Sequence, residues 1–249
     1  MKQIVKKFNN LVKKTIFKVQ NKTNNNFKIS SFNKILITFI SLLFFYLFYL
    51  SLPLLYSKIW VQANIENKLL NEFKINLSTS GEISYYILPA PHFLIKDSKI
   101  IINDTRKQNA IAEIKNLKVF LGQGNFFYKD KLNIKKVVID DANFSVLRSD
   151  LKFLKKLKNK KFLDKKIKIS HSNIFFKSNL GEVISIIKIN KALLFFDDEK
   201  LLNFFNLSGE VFNIPFTFDF NNSNNLTKDE VIDLNFKSLK LNIFNSIYE

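Results

Sequence analysis

The sequence of 249 residues has no cysteine, only five glycines and only four prolines. Without cysteine there is no disulfide framework, thiolate metal site or cysteine nucleophile. The glycines are too scattered to form a phosphate-binding loop, and the two histidines, His92 and His171, fit neither H-E-x-x-H nor any nucleophile motif such as G-x-S-x-G. The composition therefore predicts a protein that is not an enzyme and that uses no metal and no cofactor.

Acidic residues are absent from the first 34 positions, which carry nine lysines. Residues 151–168 hold nine more lysines against one aspartate, and the rest of the chain is nearly neutral although the net charge is +18. A nucleic-acid-binding domain carries its cations across the folded face that docks on phosphates, so no nucleic-acid partner is expected. Anionic lipid headgroups suit these two segments better, although a merely solvated lysine-rich surface is the other interpretation. The predicted headgroup contacts are Lys28, Lys34, Lys155 and Lys156.

Uncharged residues run without interruption from Ile35 to Tyr56, with only Thr38, Ser41 and Ser51 as polar members. At 1.5 Å per residue a helix of this length spans about 33 Å, enough to cross a hydrocarbon core. The sequence therefore predicts a basic arm over residues 1–33, one transmembrane helix over 34–56 and an external domain over 57–249. The preceding lysines place the N-terminus in the cytoplasm.

A cleaved secretory signal is the alternative for this segment. Such signals have an apolar core of about 7–15 residues followed by a small-residue cleavage site. This run is longer, and Val61-Gln62-Ala63 is a poor cleavage site, so retention as an anchor is favoured. Three tyrosines and Trp60 cluster toward the outer end, as aromatic residues do at membrane interfaces; the tyrosines are Tyr46, Tyr49 and Tyr56.

Beyond the anchor, apolar residues recur every fourth position from Lys58 to Phe73 and predict a short amphipathic helix. From Leu77 onward, alternating apolar and polar residues predict strands, for example over 83–87, 117–121, 137–139, 184–189 and 216–220. A second helix is predicted over 151–167, because leucines recur at helical spacing from Leu151. A change of phase near Ser238 predicts a β-bulge. The expected fold is a membrane-anchored, β-rich α+β protein with an extended, curved, mostly antiparallel sheet of ten to twelve strands and one or two capping helices.

Three hexapeptides share one pattern: an apolar residue, two polar residues, a small residue, a polar residue and a second apolar residue. They begin at Ile95, Ile139 and Ile169. The spacing is typical of a strand that jogs and then continues, and its repetition favours an extended repeating sheet.

The order of these features resembles the N-terminal region of AsmA-like envelope proteins. The residues that carry the resemblance cover about 57–150: Gly81-Glu82-Ile83, Leu88-Pro89-Ala90-Pro91, Ile95-Lys96-Asp97, Ile114 to Val119, and Val138 to Val146. The resemblance implies a single-pass protein of a bacterial inner membrane whose bulk lies in the periplasm. It further implies an apolar β-sheet groove that binds phospholipid and assists lipid transport or outer-membrane assembly.

Two functions therefore remain open after the sequence has been considered. In the first, membrane lipid is the partner and the sheet holds its acyl chains through Ile83, Tyr85, Ile87, Val119, Leu121, Phe216, Phe218 and Phe220. In the second, the alternating apolar residues form an ordinary packed core, and the protein is a tethered scaffold that recruits envelope proteins. An apolar face open to solvent favours the first function, and burial under a second layer favours the second.

Overall fold

The computed structural model describes residues 30–73, 75–79, 82–104, 107–150, 161–223 and 230–247. The chain divides into two compact units, Met1–Phe48 and Tyr49–Glu249. The second unit therefore begins within the apolar run, before the domain start at residue 57 that the sequence predicts.

The apolar run forms helix α1, Ser31–Ser51, followed by a 3₁₀ turn over Leu52–Leu55. Together these residues are long and apolar enough to cross a membrane. The helix begins three residues earlier than predicted, so Lys34 lies in its first turn. The α-helix ends before Pro53, since proline lacks the N–H that would bond to the carbonyl four residues earlier.

The second helix, α2, spans Lys58–Phe73 and confirms the predicted amphipathic segment. Its buried residues are Val61, Ile65, Leu69 and Phe73. A spacing of four residues keeps them on one face of the helix, and this face packs in the main hydrophobic core.

Within the described residues of the second unit, eleven strands form one sheet. Their order is β1-β3-β4-β5-β6-β7-β8-β9-β10-β11, and β2 pairs beside β1 along β3. The sheet is mixed, because β5 and β6 are parallel while the other described pairs are antiparallel. The strands are β1 Leu77–Thr79, β2 Ile83–Tyr86, β3 His92–Asp104, β4 Lys107–Leu121, β5 Ile134–Leu147, β6 Lys166–Lys177, β7 Val183–Asp197, β8 Leu202–Val211, β9 Ile214–Ser223, β10 Glu230–Phe236 and β11 Leu241–Ile247.

The helix predicted over 151–167 is wrong in its C-terminal part. Residues 151–160 lie outside the described residues, residues 161–165 are not helical, and β6 begins at Lys166. Ile167 is buried opposite Val137 of β5. Strand pairing with β5 satisfies the backbone here, which the local leucine spacing could not indicate.

The three similar hexapeptides mark jogs within continuous strands. Their third residues, Asp97, Asp141 and His171, have φ of 50°, 59° and 47° and lie inside β3, β5 and β6. The register with the neighbouring strands is the same before and after each of these residues, and the alternation of buried residues changes phase there: Ile139 and Ala142, three residues apart, are both buried. The predicted jog in the strand is confirmed.

The phase change near Ser238 is a hairpin and not the predicted bulge. Lys237–Leu239 forms a 3₁₀ turn, and Lys240 follows with φ of 52°. The chain therefore reverses, and β11 pairs antiparallel with β10. A chain reversal changes the phase of the apolar residues in the same way as a bulge. The local sequence therefore does not distinguish a hairpin from a bulge.

Candidate functional site

One face of the sheet is apolar along complete rows of cross-strand neighbours. The longest row passes through ten strands and contains no polar side chain. Its members are Ile83, Ile95, Leu117, Ile139, Ile169, Ala192, Leu207, Phe218, Leu234 and Ile243. With strands about 4.8 Å apart, this row extends roughly 43 Å along the sheet.

A second apolar row lies two residues along the strands from the first. It begins at Tyr85 and stays apolar or aromatic as far as Ile232. Its members are Tyr85, Phe93, Val119, Val137, Ile167, Leu194, Phe205, Phe220 and Ile232. We call the surface made by these two rows and the apolar residues beyond the jogs the apolar face.

The opposite face of the sheet carries a wholly polar row, and we call it the polar face. One row, between the two apolar rows and the jogs, consists entirely of polar or charged residues across nine strands. They are Lys96, Asn116, Asp140, Ser170, Lys191, Ser208, Thr217, Asn235 and Asn242. Since successive side chains alternate between faces, this row lies on the side away from the two apolar rows. The next row of the polar face is mixed and includes Leu94, Val138 and Leu193.

The first half of the apolar face is a closed core. The buried face of α2 packs there with residues of β2 to β6, and Leu50 from the end of α1 joins them. Leu69, Ile95 and Val119 are completely buried in this cluster.

The second half is built differently. Its hydrophobic cluster centres on Ile189, Ala192 and Leu207, and every described member belongs to a strand of the sheet. Toward β11 the side chains become exposed, and Ile243 at the end of the long row is 50% accessible. The described part of the chain thus places no helix in this cluster.

A short segment before β6 covers one margin of the second half. The Phe162 ring lies 6.4 Å from the ring of Phe220, and the Phe162 N–H donates to Asn203 Oδ1 at 2.7 Å. The Phe196 N–H donates to the Leu163 carbonyl at 2.7 Å. These bonds fix the segment at the ends of β7 to β9, away from Phe216.

The predicted lipid-contacting residues fall into two groups. Ile83, Val119 and Leu121 are buried in the closed core, and Tyr85 and Ile87 pack against it. The other predicted residues lie on β9: Phe216 and Phe218 are partly exposed in the second cluster, whereas Phe220 is buried. The structure thus brings seven of the eight to apolar clusters, and Phe220 is buried outside both; only β9 has two partly exposed members outside the closed core.

The structure describes only one of the four predicted headgroup-contacting lysines. Lys28, Lys155 and Lys156 lie outside the described residues, whereas Lys34 is exposed in the first turn of α1.

Gly209 shapes the second half of the apolar face. A Cβ atom there would lie 2.2 Å from the Lys188 carbonyl oxygen and 3.5 Å from the ring of Phe216. Gly209 pairs with Ile189 at the point where β7 shifts its register against β8. The missing side chain therefore allows the bulged strand to approach closely and lets the Phe216 ring lie over the backbone.

Two tyrosine hydroxyls form hydrogen bonds that join the end of α1 to the sheet and to one of its loops. The Tyr85 hydroxyl donates to the Leu50 carbonyl at 2.6 Å. The Tyr49 hydroxyl donates to the Gln123 carbonyl at 2.8 Å and accepts from the Phe126 N–H at 3.2 Å. The aromatic composition of this region suggested a membrane interface in the sequence, but the contacts also make it part of the domain core.

Tyr56 extends this group, since its hydroxyl donates to the Phe126 carbonyl. Burial raises the pKa of Tyr85 well above its usual value, and the nearby Tyr56 adds to the effect. Burial likewise raises the pKa of Tyr56, with a further contribution from Tyr49. These phenols are therefore neutral hydrogen-bond donors and not bases.

The polar face carries one cluster that resembles catalytic chemistry in composition. Asp140 accepts hydrogen bonds from Ser170 at 2.9 Å and from His171 at 2.8 Å. The carboxylate stands between the hydroxyl and the imidazole, so the histidine does not contact the serine and cannot act as its base. The cluster instead joins the parallel strands β5 and β6 beside their jogs.

Among the described residues, no group of three or more histidine or acidic side chains could hold a metal ion. Among known proteins, no family model matches this chain and no curated protein matches it.

Proposed function

We propose that this protein is anchored in a membrane by α1 and holds phospholipid acyl chains on the second half of its apolar face. The observation that carries the proposal is the unbroken row of ten apolar residues across the sheet. This row extends beyond the part of the sheet that α2 covers and continues to the partly exposed strands β9 to β11.

The physical basis is the cost of exposing hydrocarbon to water. Each methylene that moves from water to an apolar surface gains about 0.8 kcal/mol. A continuous apolar row offsets this cost along its length, whereas isolated pockets would leave gaps. The polar face, with charged residues such as Lys96 and Lys191, is suited to water on the other side of the same strands.

The two halves of the apolar face have different roles in this proposal. The half beneath α2 is the hydrophobic core that stabilises the domain, since Ile95, Leu117 and Val119 are buried there. The half on β7 to β11 is the binding surface, with Phe216 and Phe218 as its central contacts. The other predicted contacts act as core residues.

The resemblance to AsmA-like proteins supports a specific setting. The N-terminus lies in the cytoplasm, α1 crosses a bacterial inner membrane, and the sheet lies in the periplasm, where it assists lipid transport or outer-membrane assembly. The span of Ser31–Leu55 has the length and composition that this setting requires.

The tethered scaffold is the second candidate, and the closed core favours it. Ile83 and Val119 are buried under other residues, which is what a protein-packed sheet requires. In that case β11, which pairs only with β10 among the described strands, offers its other edge to an envelope protein.

Photocrosslinking of lipid distinguishes the two candidates. The full chain is placed in nanodiscs that contain a phospholipid with a photoreactive acyl chain, and the crosslinked peptides are mapped by mass spectrometry. We expect adducts on β7 to β10 that disappear in the double variant Phe216→Asp, Phe218→Asp. Thr217→Asp is the matched control, because Thr217 lies between the two phenylalanines on the polar face, and it should keep the adducts.

Thermal melts of the three proteins show whether each remains folded. Adducts confined to residues 30–55 in a folded wild-type chain would overturn lipid binding by the sheet and leave the scaffold as the better account.

A further inference from the structure

Exposed apolar and aromatic residues lie where the predicted membrane span ends. Ile59 is 82% accessible, Leu55 79%, Phe127 72% and Tyr128 61%. With Trp60 we call these five residues the collar. Large apolar side chains gathered on a surface usually mark a contact with another phase or molecule.

The connections of the chain fix the depth of the collar relative to the end of the span. Ile59 follows Leu55 by four residues, so it lies within about 14 Å of it whatever the path of the chain. The Phe127 ring lies 5.2 Å from the ring of Tyr49, which precedes Leu55 by six residues, or about 10 Å along the helical axis. The loop that carries Phe127 therefore lies level with the last turns of the span.

The chemistry of the collar suits the boundary between headgroups and acyl chains. Lys129 Nζ lies 5.7 Å from the ring centre of Trp60, and Lys131 Nζ lies 5.0 Å from that of Tyr128. Tryptophan and tyrosine accumulate at this depth, and lysine extends its charge toward phosphate while its stem stays apolar. A lipid surface therefore fits the collar, because a bilayer that receives the span necessarily reaches residues at this level.

We propose that the collar inserts into the interfacial layer of the membrane and holds the second unit against the bilayer at the end of the span. The inference rests on the proposed anchoring by α1, but it is independent of lipid binding by the sheet. Three chain segments take part: the end of the span, the start of α2 and the loop between β4 and β5.

The chain contains a single tryptophan, Trp60, which makes the collar measurable. The full chain is reconstituted into vesicles of phosphatidylglycerol and phosphatidylcholine, with or without bromine on the acyl chains near the headgroup. Two probes are compared in the Trp60→Phe background. Phe127→Trp reports on the collar, and Phe212→Trp reports on an equally exposed site, 74% against 72% accessible.

Phe212 is a suitable control because it lies toward the other ends of the strands. Val119, two residues before the end of β4, shares a row with Phe205 of β8. Phe212 follows Phe205 by seven residues, or about 23 Å along an extended strand. We expect brominated lipid to reduce the emission of Phe127→Trp and of wild-type Trp60, and to leave Phe212→Trp unchanged.

Alkaline carbonate extraction separates the possible failures. A chain that stays in the vesicles while Phe127→Trp emits equally in both lipids overturns the collar and leaves the anchor standing. A chain that carbonate releases overturns the anchor and the collar together. Neither result bears on adducts at Phe216, which test lipid binding by the sheet.

Discussion

The hydroxyl of Tyr85 donates a hydrogen bond to the carbonyl oxygen of Leu50 across 2.6 Å. Leu50 belongs to the last turn of α1, where carbonyl groups have no partner within the helix. The residue is only 5% accessible, so the bond from β2 takes the place of water. The end of the apolar helix is therefore built into the core of the second unit.

Replacing Tyr85 by phenylalanine should lower the free energy of unfolding by about 1–3 kcal/mol, because the buried Leu50 carbonyl loses its partner. Tyr86→Phe is the control, since Tyr86 is 46% accessible; it should change stability by less than about 0.5 kcal/mol. Urea unfolding of the detergent-solubilised chain, followed by Trp60 fluorescence, measures both. Equal midpoints for the two variants would contradict the assigned role.

Alkaline pH should destabilise the second unit. The folded state raises the pKa of Tyr85 by burial, whereas an unfolded tyrosine titrates near pH 10. Above that pH the unfolded state loses the proton first, so stability falls as pH rises. Unfolding midpoints measured from neutral pH to above pH 10 should decline, and Tyr85→Phe should decline less steeply. A parallel decline in both proteins would show that Tyr85 is not responsible.

Gly209→Ala should lower the free energy of unfolding by about 1–3 kcal/mol, as overpacked sites do. The added methyl group would meet the Lys188 carbonyl at 2.2 Å, and backbone has to move to admit it. Gly124→Ala is the matched control, because a Cβ at Gly124 meets nothing within 4 Å. Thermal melts compare the two; a loss of stability in both would point to glycine content and not to this close approach.

Phe212→Asn should stabilise the turn between β8 and β9. Phe212 and Asn213 have φ of 51° and 61°, as the central residues of a type I′ turn do, and asparagine accepts this conformation more readily than phenylalanine. Because Phe212 is 74% accessible, little burial is lost, and we expect a gain of about 0.5–1 kcal/mol. Leu180→Asn, at an 88% accessible turn position without positive φ, should show no such gain in denaturant midpoint.

Local patterns predicted the elements that depend on near neighbours in the chain. The four-residue spacing of Val61, Ile65 and Leu69 predicted α2, because a helix brings such residues to one face. Alternation predicted the strands, and the hexapeptide at Ile139 predicted a jog. The same reasoning failed at residues 161–167, where pairing with a distant strand outweighs local leucine spacing, and at Ser238, where a hairpin and a bulge have the same local signal.

The sequence by itself determined that the strands have one apolar side and that an uncharged segment long enough for a membrane precedes them. These properties follow from side-chain order, which is fixed in the chain. Only the tertiary structure decided that Ile83 and Ile243 belong to one row, that Val119 lies in a closed core while Phe218 is partly exposed, and that Tyr49 and Leu50 belong to the sheet domain. Register, strand order and coverage by α2 are set by contacts between residues far apart in sequence, and no local pattern contains them.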